Sequence, residues 1–382
     1  MIYLDHNATT PLAPQVLQSM MPFLENSFGN PSSVHSEGRK VRVKMDEARE
    51  QVASLIGALP GEIIFTSGGT EANNMAILGT ALSHKEKGNH IISCVIEHPA
   101  VLNPCKQLEG LGFNIDFLSV DTRGRIDLDE LKDKIKPSTI LISIQHANSE
   151  VGTLQDIQSI GEVAKENSIL FHSDVVQSAG KIPLDVKSHP LDMASISSHK
   201  LYGPKGVGAL YMRKGLPALF SPICGGSQEK KRRGGTENVP GIAGFGMACE
   251  LAMENLKQEG NLKVAATRDF MYELIANKIQ RIELYGDPDH RLPNTLNIGF
   301  LGADGESLLI GLDRQGISVS TGSACSSGSG LPSEVLLAMG IPEGEINSSL
   351  RISLGVSSSE AEMQEVANSL ENLVSLSRGE FS

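Results

Sequence analysis

Residues 62–82 read EIIFTSGGTEANNMAILGTAL. An apolar run, EIIFT (62–66), gives way at Ser67-Gly68-Gly69 to a segment with helical periodicity from Thr70. The two glycines leave backbone amides bare where the helix begins, and the helix dipole adds positive potential there. Such a turn either seats an anion, most often phosphate, or is an ordinary connection with Thr70 as N-cap. No GK[ST] follows the glycines and no GxGxxG is present, so neither a P-loop nor a dinucleotide fingerprint is encoded.

The alternation continues along the chain. HIISCVI (90–96), NIDFLSV (114–120), TILISIQ (139–145), SILFHSDVV (168–176), DMASIS (192–197) and VGALYMR (207–213) are strand-like. Helical patterns open at His98 and run through IQSIGEVAKE (157–166). Strand, helix, strand in this rhythm means right-handed crossovers and a mainly parallel α/β sheet covered on both faces. The last two strands are joined by a short HKLYGPKG loop, too short for a crossover helix, so one of them is expected to be antiparallel. From about residue 262 the pattern becomes a long helix, short strands and a helix, which predicts a second, smaller α+β domain joined by the N-terminal segment.

Bulk properties narrow the function. A chain of 382 residues can bury a large core in two domains. The formal charge of −12 argues against nucleic-acid or anionic-membrane partners, and KKRR (230–233) is too short to reverse that. MIYLDHNATT lacks a basic n-region and an apolar h-region, so no signal peptide is expected, and no apolar run approaches the ~18 residues of a membrane span. The five cysteines (94, 105, 224, 249, 325) are odd in number and show no CxxC, which fits a reducing cytoplasm. With no HExxH among the ten histidines, no metal site is expected.

In doubly wound sheets, ligands bind beyond the carboxyl ends of the strands. Here those ends carry SGGTE (67–71), EHPA (97–100), HANSEVG (146–152), SDVVQ (173–177) and SSHK (197–200). They gather Thr70, His98, Asn148, Asp174, Gln177, Ser197, His199 and Lys200 around one crevice. Lys200 is an imine-forming nucleophile if burial depresses its basicity, and a solvated surface lysine otherwise. Asp174 ends a strand, where an unpaired carboxylate is costly unless it meets a cation such as a protonated pyridine nitrogen. His98 can stack on a flat ring and move a proton, or simply cap a helix. Ser197 and His199 can add donors to a phosphate. Phosphate nest, lysine, aspartate and ring-stacking histidine together are the parts that pyridoxal 5'-phosphate (PLP) requires.

YLDHNATTPLAP, GNPSSVHSEGR, FTSGGTEANN, EHPAV, HANSEVGTLQD, DVVQSAGK, SSHKLYGPKGVGALY, RRGGTENV, TGSACSSGS and LRISLG occur in order from residue 3 to about 355. The chain resembles the NifS/IscS-type cysteine desulfurases, PLP enzymes of fold type I. That resemblance implies a large domain (15–260) with a mostly parallel, seven-stranded-type sheet. The smaller domain would comprise 1–14 and 261–382 and carry a mobile cysteine loop, 320–330. Lys200 would hold PLP covalently, Asp174 would pair with the ring nitrogen, Gln177 would bond the ring oxygen and His98 would stack on the ring. Gly69, Thr70, Ser197 and His199 would bind the phosphate, and Thr236 would reach the phosphate of the other subunit of a homodimer. Asn148 would face cofactor and substrate, and Arg351 would clamp the carboxylate of L-cysteine.

The implied products are L-alanine and a persulfide on Cys325, passed to an acceptor protein in iron–sulfur assembly or related sulfur traffic. STGSACSSGSG (320–330), read alone, is a flexible linker with a bystander thiol. Beside a PLP site its glycines and serines would let Cys325 reach a buried sulfur. His6, GSGLPSEVL after the cysteine, Val356 after SLG, and an ending at SRGEFS without a longer tail depart from the usual pattern and bear on the acceptor. Selenocysteine lyase and a non-catalytic scaffold of sulfur transfer are the alternatives.

Overall fold

The computed structural model describes residues 1–322 and 332–380. Its strands are β1 (Ile2–Tyr3), β2 (Ile63–Thr66), β3 (His90–Cys94), β4 (Asn114–Leu118), β5 (Thr139–Ser143), β6 (Leu170–Asp174), β7 (Met193–Ser197), β8 (Gly208–Met212), β9 (Ile282–Tyr285), β10 (Thr295–Phe300), β11 (Ile317–Ser318) and β12 (Ser349–Ser353). Seven form one sheet in the order β2-β8-β7-β6-β5-β3-β4. Within it only β8 runs against its neighbours, pairing antiparallel with both β7 and β2. The short connection after β7 forces that reversal, as the sequence predicts.

Alternate residues of each strand enter different cores. Ile64, Ile91, Leu141 and Leu210 face one side with Met75 and Ile77 of the helix Gly69–His84. Phe65, Ile92, Ile142 and Ala209 face the other with Val41, Met45 and Phe245 of the helices Ser36–Leu55 and Val239–Lys257. Both faces are dry, so these strands read as continuous apolar runs and not as alternating ones. The expected strand 114–120 ends at Leu118, and a helix, Leu128–Lys134, follows. Asp127 caps that helix by accepting from Asp129 N–H, a signal the periodicity alone does not weigh.

A second core lies against β9-β10-β12, an antiparallel sheet, and the parallel pair β1-β11. Ile2 and Leu4 pack there with Met271, Ile275, Phe300, Leu350 and Leu370. The N-terminal segment therefore joins the C-terminal part of the chain. Beyond β1 it stays tied to β12 through His6 N–H to Ser353 O (3.2 Å) and Asn7 N–H to Ser353 Oγ (3.0 Å). This route carries Asn7 and Ala8 across the carboxyl ends of the large sheet, onto Lys200. No helix among the described residues is long and apolar enough to cross a membrane.

Candidate active site

A cavity of about 310 Å³ opens where the strands of the large sheet end. Gly69 and Thr70 start the helix after β2, and His98 follows β3. Asn148 follows β5, Asp174 and Gln177 close β6, and Ser197, His199 and Lys200 close β7. Arg351 of β12 enters from the opposite side. These ten predicted residues all line one chamber. Thr236 does not; it is exposed, ahead of the helix Val239–Lys257. Cys325 lies outside the described residues.

Lys200 ends a 3-10 turn, Ser198–Lys200, that bends the chain as it leaves β7. Its Nζ donates to the backbone oxygens of Asn7 and, at 2.7 Å, of Ala8. Asp174 is held at both oxygens: Oδ2 accepts from Asn73 Nδ2 at 2.6 Å and Oδ1 from Val176 N–H at 2.9 Å. Two donors keep the carboxylate rigid and suit it to a cationic ring nitrogen. Of the two roles the sequence allowed His98, the structure shows the helix cap. Its Nδ1 accepts from Ala100 N–H at 3.0 Å, capping the helix Pro99–Glu109, which leaves Nε2 as the protonated nitrogen of the neutral ring. Burial lowers the His98 pKa; Asp174 opposes the shift and Lys200 reinforces it.

The chamber end at the start of this helix is built from a glycine that has no room for a side chain. A Cβ on Gly69 would stand 2.8 Å from Val176 Cγ2. The helix that starts there runs 16 residues, so its dipole is developed. Glu71 in its first turn would repel an anion, but Arg233 Nε binds its Oε1 at 2.8 Å and holds the carboxyl below its usual range against the opposing effect of burial. His199 bonds Thr9 Oγ1 through Nδ1 at 3.1 Å, and burial with Lys200 and Lys205 nearby lowers its pKa to about 4. It is a neutral donor or acceptor at pH 7.

Several contributors were not singled out from sequence. Asp5 pairs with Arg351, Nη2 to Oδ1 at 2.7 Å, and Arg351 Nη1 reaches Ser149 O at 3.4 Å. Arg351 Nε is buried and has no hydrogen-bond partner among the described residues. Asn73 orients Asp174, and Glu97, a buried residue of the chamber lining, accepts from Gln145 N–H at 2.7 Å. Burial raises the Glu97 pKa well above the carboxylate range. Asn148 spends its amide on the backbone: Oδ1 accepts from Glu150 and Val151 N–H, and Nδ2 donates to Ile96 O. Asp5 and Asn7 stand in the quoted YLDHNATT, but no spacing rule says what they meet.

A cradle of bare amides, a fixed carboxylate, a lysine and a histidine around one chamber fit PLP. The guanidinium facing them fits an amino-acid carboxylate.

Residues 2–366 match the family model described as aminotransferase class-V. "Cysteine desulfurase IscS" of Dictyoglomus turgidum is 48% identical over 373 residues, 98% of this chain and 94% of that protein. The protein of the same name from Methanosarcina thermophila is 49% identical, over 93% of this chain and 87% of that one. Among solved structures, a "NifS-like protein" superposes with a TM-score of 0.92 at 37% identity, covering 98% of this chain and 99% of that one. "SspA in complex with cysteine" gives 0.83 at 39% identity, over 93% and 99%. Matched over nearly its whole length, the chain belongs to the aminotransferase class-V family.

Proposed function

We propose that this protein is a PLP-dependent cysteine desulfurase that converts L-cysteine to L-alanine and leaves the sulfur as a persulfide on Cys325. The observation that carries this reading is the single chamber in which Lys200, Asp174, His98 and Gln177 meet Gly69, Thr70 and Arg351. PLP, when bound, supplies the electron sink that makes the Cα–H and Cβ–S bonds of cysteine labile.

The remaining chemistry belongs to the chain. Arg351 binds the substrate carboxylate and sets Cα before Lys200, whose Nζ removes the α-proton. Asp174 would pair with the protonated ring nitrogen. Gly69, Thr70, Ser197 and His199 hold the phosphate, and Asn148 shapes the wall between cofactor and substrate. Cys325, as thiolate, attacks the substrate sulfur; a sulfur–sulfur bond forms as the carbon–sulfur bond breaks. His98 Nε2 returns a proton to the product. The buried Cys94, Cys105 and Cys249 are poor competitors, because burial raises each thiol pKa far above neutrality.

The assembly reading follows the same residues. Residues 15–260 form the cofactor domain, while 1–14 and 261–382 form the small domain, supported by Ile2 and Leu4 in the second core. Two copies pair so that exposed Thr236 completes the partner's phosphate site. The enzyme works in the cytoplasm and hands sulfur to an acceptor protein for iron–sulfur assembly. The PLP-loaded protein should release one L-alanine per L-cysteine consumed. Ketoacid in place of alanine would mean transamination.

A further inference from the structure

Beneath the ring-binding residues lies a second half-buried lysine. Lys181 Nζ donates to Gln177 Oε1 at 2.9 Å and to Asn7 Oδ1 at 3.1 Å. Both acceptors are side-chain amides next to Lys200. A lysine brings N–H donors to these contacts, so it decides which end of each amide it meets. Gln177 must turn its oxygen toward Lys181, and its Nε2 then points the other way. One Nε2 hydrogen goes to Asn7 O at 3.0 Å, the same carbonyl that accepts from Lys200. No other acceptor among the described residues takes the second, and Gln177 lines the chamber.

Asn7 is fixed just as firmly. Its Oδ1 also accepts from Asn294 Nδ2 at 3.0 Å, and its Nδ2 donates to Thr295 Oγ1 at 2.8 Å and Ser149 O at 3.1 Å. Lys181 thus orders both amides that flank the reactive lysine. The charged groups around it are Lys200 and Arg351, with His6 nearby. Burial, then these two cations, depress the ammonium well below its ordinary range. An amine keeps two hydrogens, enough for both bonds.

We propose that Lys181 is a positioning residue: it locks the Gln177 amide so that Nε2 donates to the ring oxygen of PLP, and so tunes the proton affinity of the Lys200–PLP linkage. This rests on the PLP reading above. A donor at that oxygen stabilises its negative charge most when the linkage has lost its proton, so removing the donor raises the pH midpoint.

The test is a pH titration of the visible absorbance of the holoenzyme. Lys181→Met is expected to raise the midpoint by about one unit, tenfold in proton affinity, with PLP still bound. Gln177→Leu should raise it alike, and the double variant should go no further. Lys181→Arg keeps a donor and, adding a fixed cation, should not raise the midpoint; it decides the matter if Lys181→Met does not fold. An unshifted Lys181→Met, additive shifts in the double variant, or an Arg variant that shifts like Met overturns the inference. A wild type that takes up no PLP and stays colourless brings down the cofactor reading and this one with it. A coloured wild type with unshifted variants overturns this one alone.

Discussion

Arg351 Nη2 and Asp5 Oδ1 stand 2.7 Å apart, with the guanidinium only 2% exposed. A buried guanidinium needs a counter-ion, and the chain supplies it from the N-terminal segment, 346 positions away. The carboxylate proposed to bind Arg351 would therefore meet a cation that already holds one anion. What remains for it is Nη1, only weakly engaged by Ser149 O, and Nε, without a partner among the described residues. Arg351→Lys cannot reproduce two parallel N–H bonds. It should lower kcat/KM for L-cysteine about 10–100-fold, mainly through KM, with PLP retained. Asp5→Asn leaves the guanidinium uncompensated and should cost about 3–5 kcal/mol of stability, read from thermal unfolding.

Gly69→Val tests the proposed phosphate site. In Gly69→Val the new Cβ, 2.8 Å from Val176 Cγ2 in the native backbone, must push the helix start or Val176 aside. Val176 is β-branched and stiff, so the amides move. Retention of PLP through dialysis should fall at least tenfold, while far-ultraviolet circular dichroism stays native.

Two buried histidines, His172 in β6 and His146 just past β5, predict acid sensitivity. Burial pushes His146 to about 4 and His172 to about 3. In the unfolded chain each takes a proton as pH falls through its ordinary value of about 6.5. The folded rings resist, so the stability they contribute is present above that value and is lost as pH falls toward 4 and 3. The loss is up to about 1.4 kcal/mol per pH unit for each ring. His172 bonds Ser143 and Ser195 as a neutral ring, so His172→Gln should flatten the slope of Tm between pH 6.5 and 4.5.

Variants of Asp174 and His98 test the proposed cofactor tuning and proton return separately. Asp174→Asn keeps the hydrogen bond from Val176 N–H but loses the charge, and should cut kcat by about 100-fold or more with PLP bound. His98→Gln should preserve colour and cysteine binding and slow alanine release by about 10²–10³-fold. An alanine-release rate independent of His98 would remove it from the reaction.

The strands were legible because both faces of the large sheet are dry, which leaves apolar runs between glycine and polar turns. The crevice was legible for the same reason: polar residues at β-strand ends have one place to go in such a sheet. Leu128–Lys134 was passed over because seven residues show too few turns for a periodic signal. Asp5 against Arg351 and Lys181 behind Gln177 were illegible. Each partner sits within a quoted motif, but tertiary packing alone decides which charge or amide it faces.

The central claim is that sulfur leaves cysteine for Cys325. PLP-loaded protein, given one equivalent of L-cysteine and then alkylated, can be digested and mapped by mass spectrometry. The account predicts one extra sulfur on the peptide carrying Cys325, no such mass in Cys325→Ala, and none on Cys224, the exposed cysteine among those described. Alanine released at the wild-type rate by Cys325→Ala, or a persulfide mapped to Cys224, would contradict it.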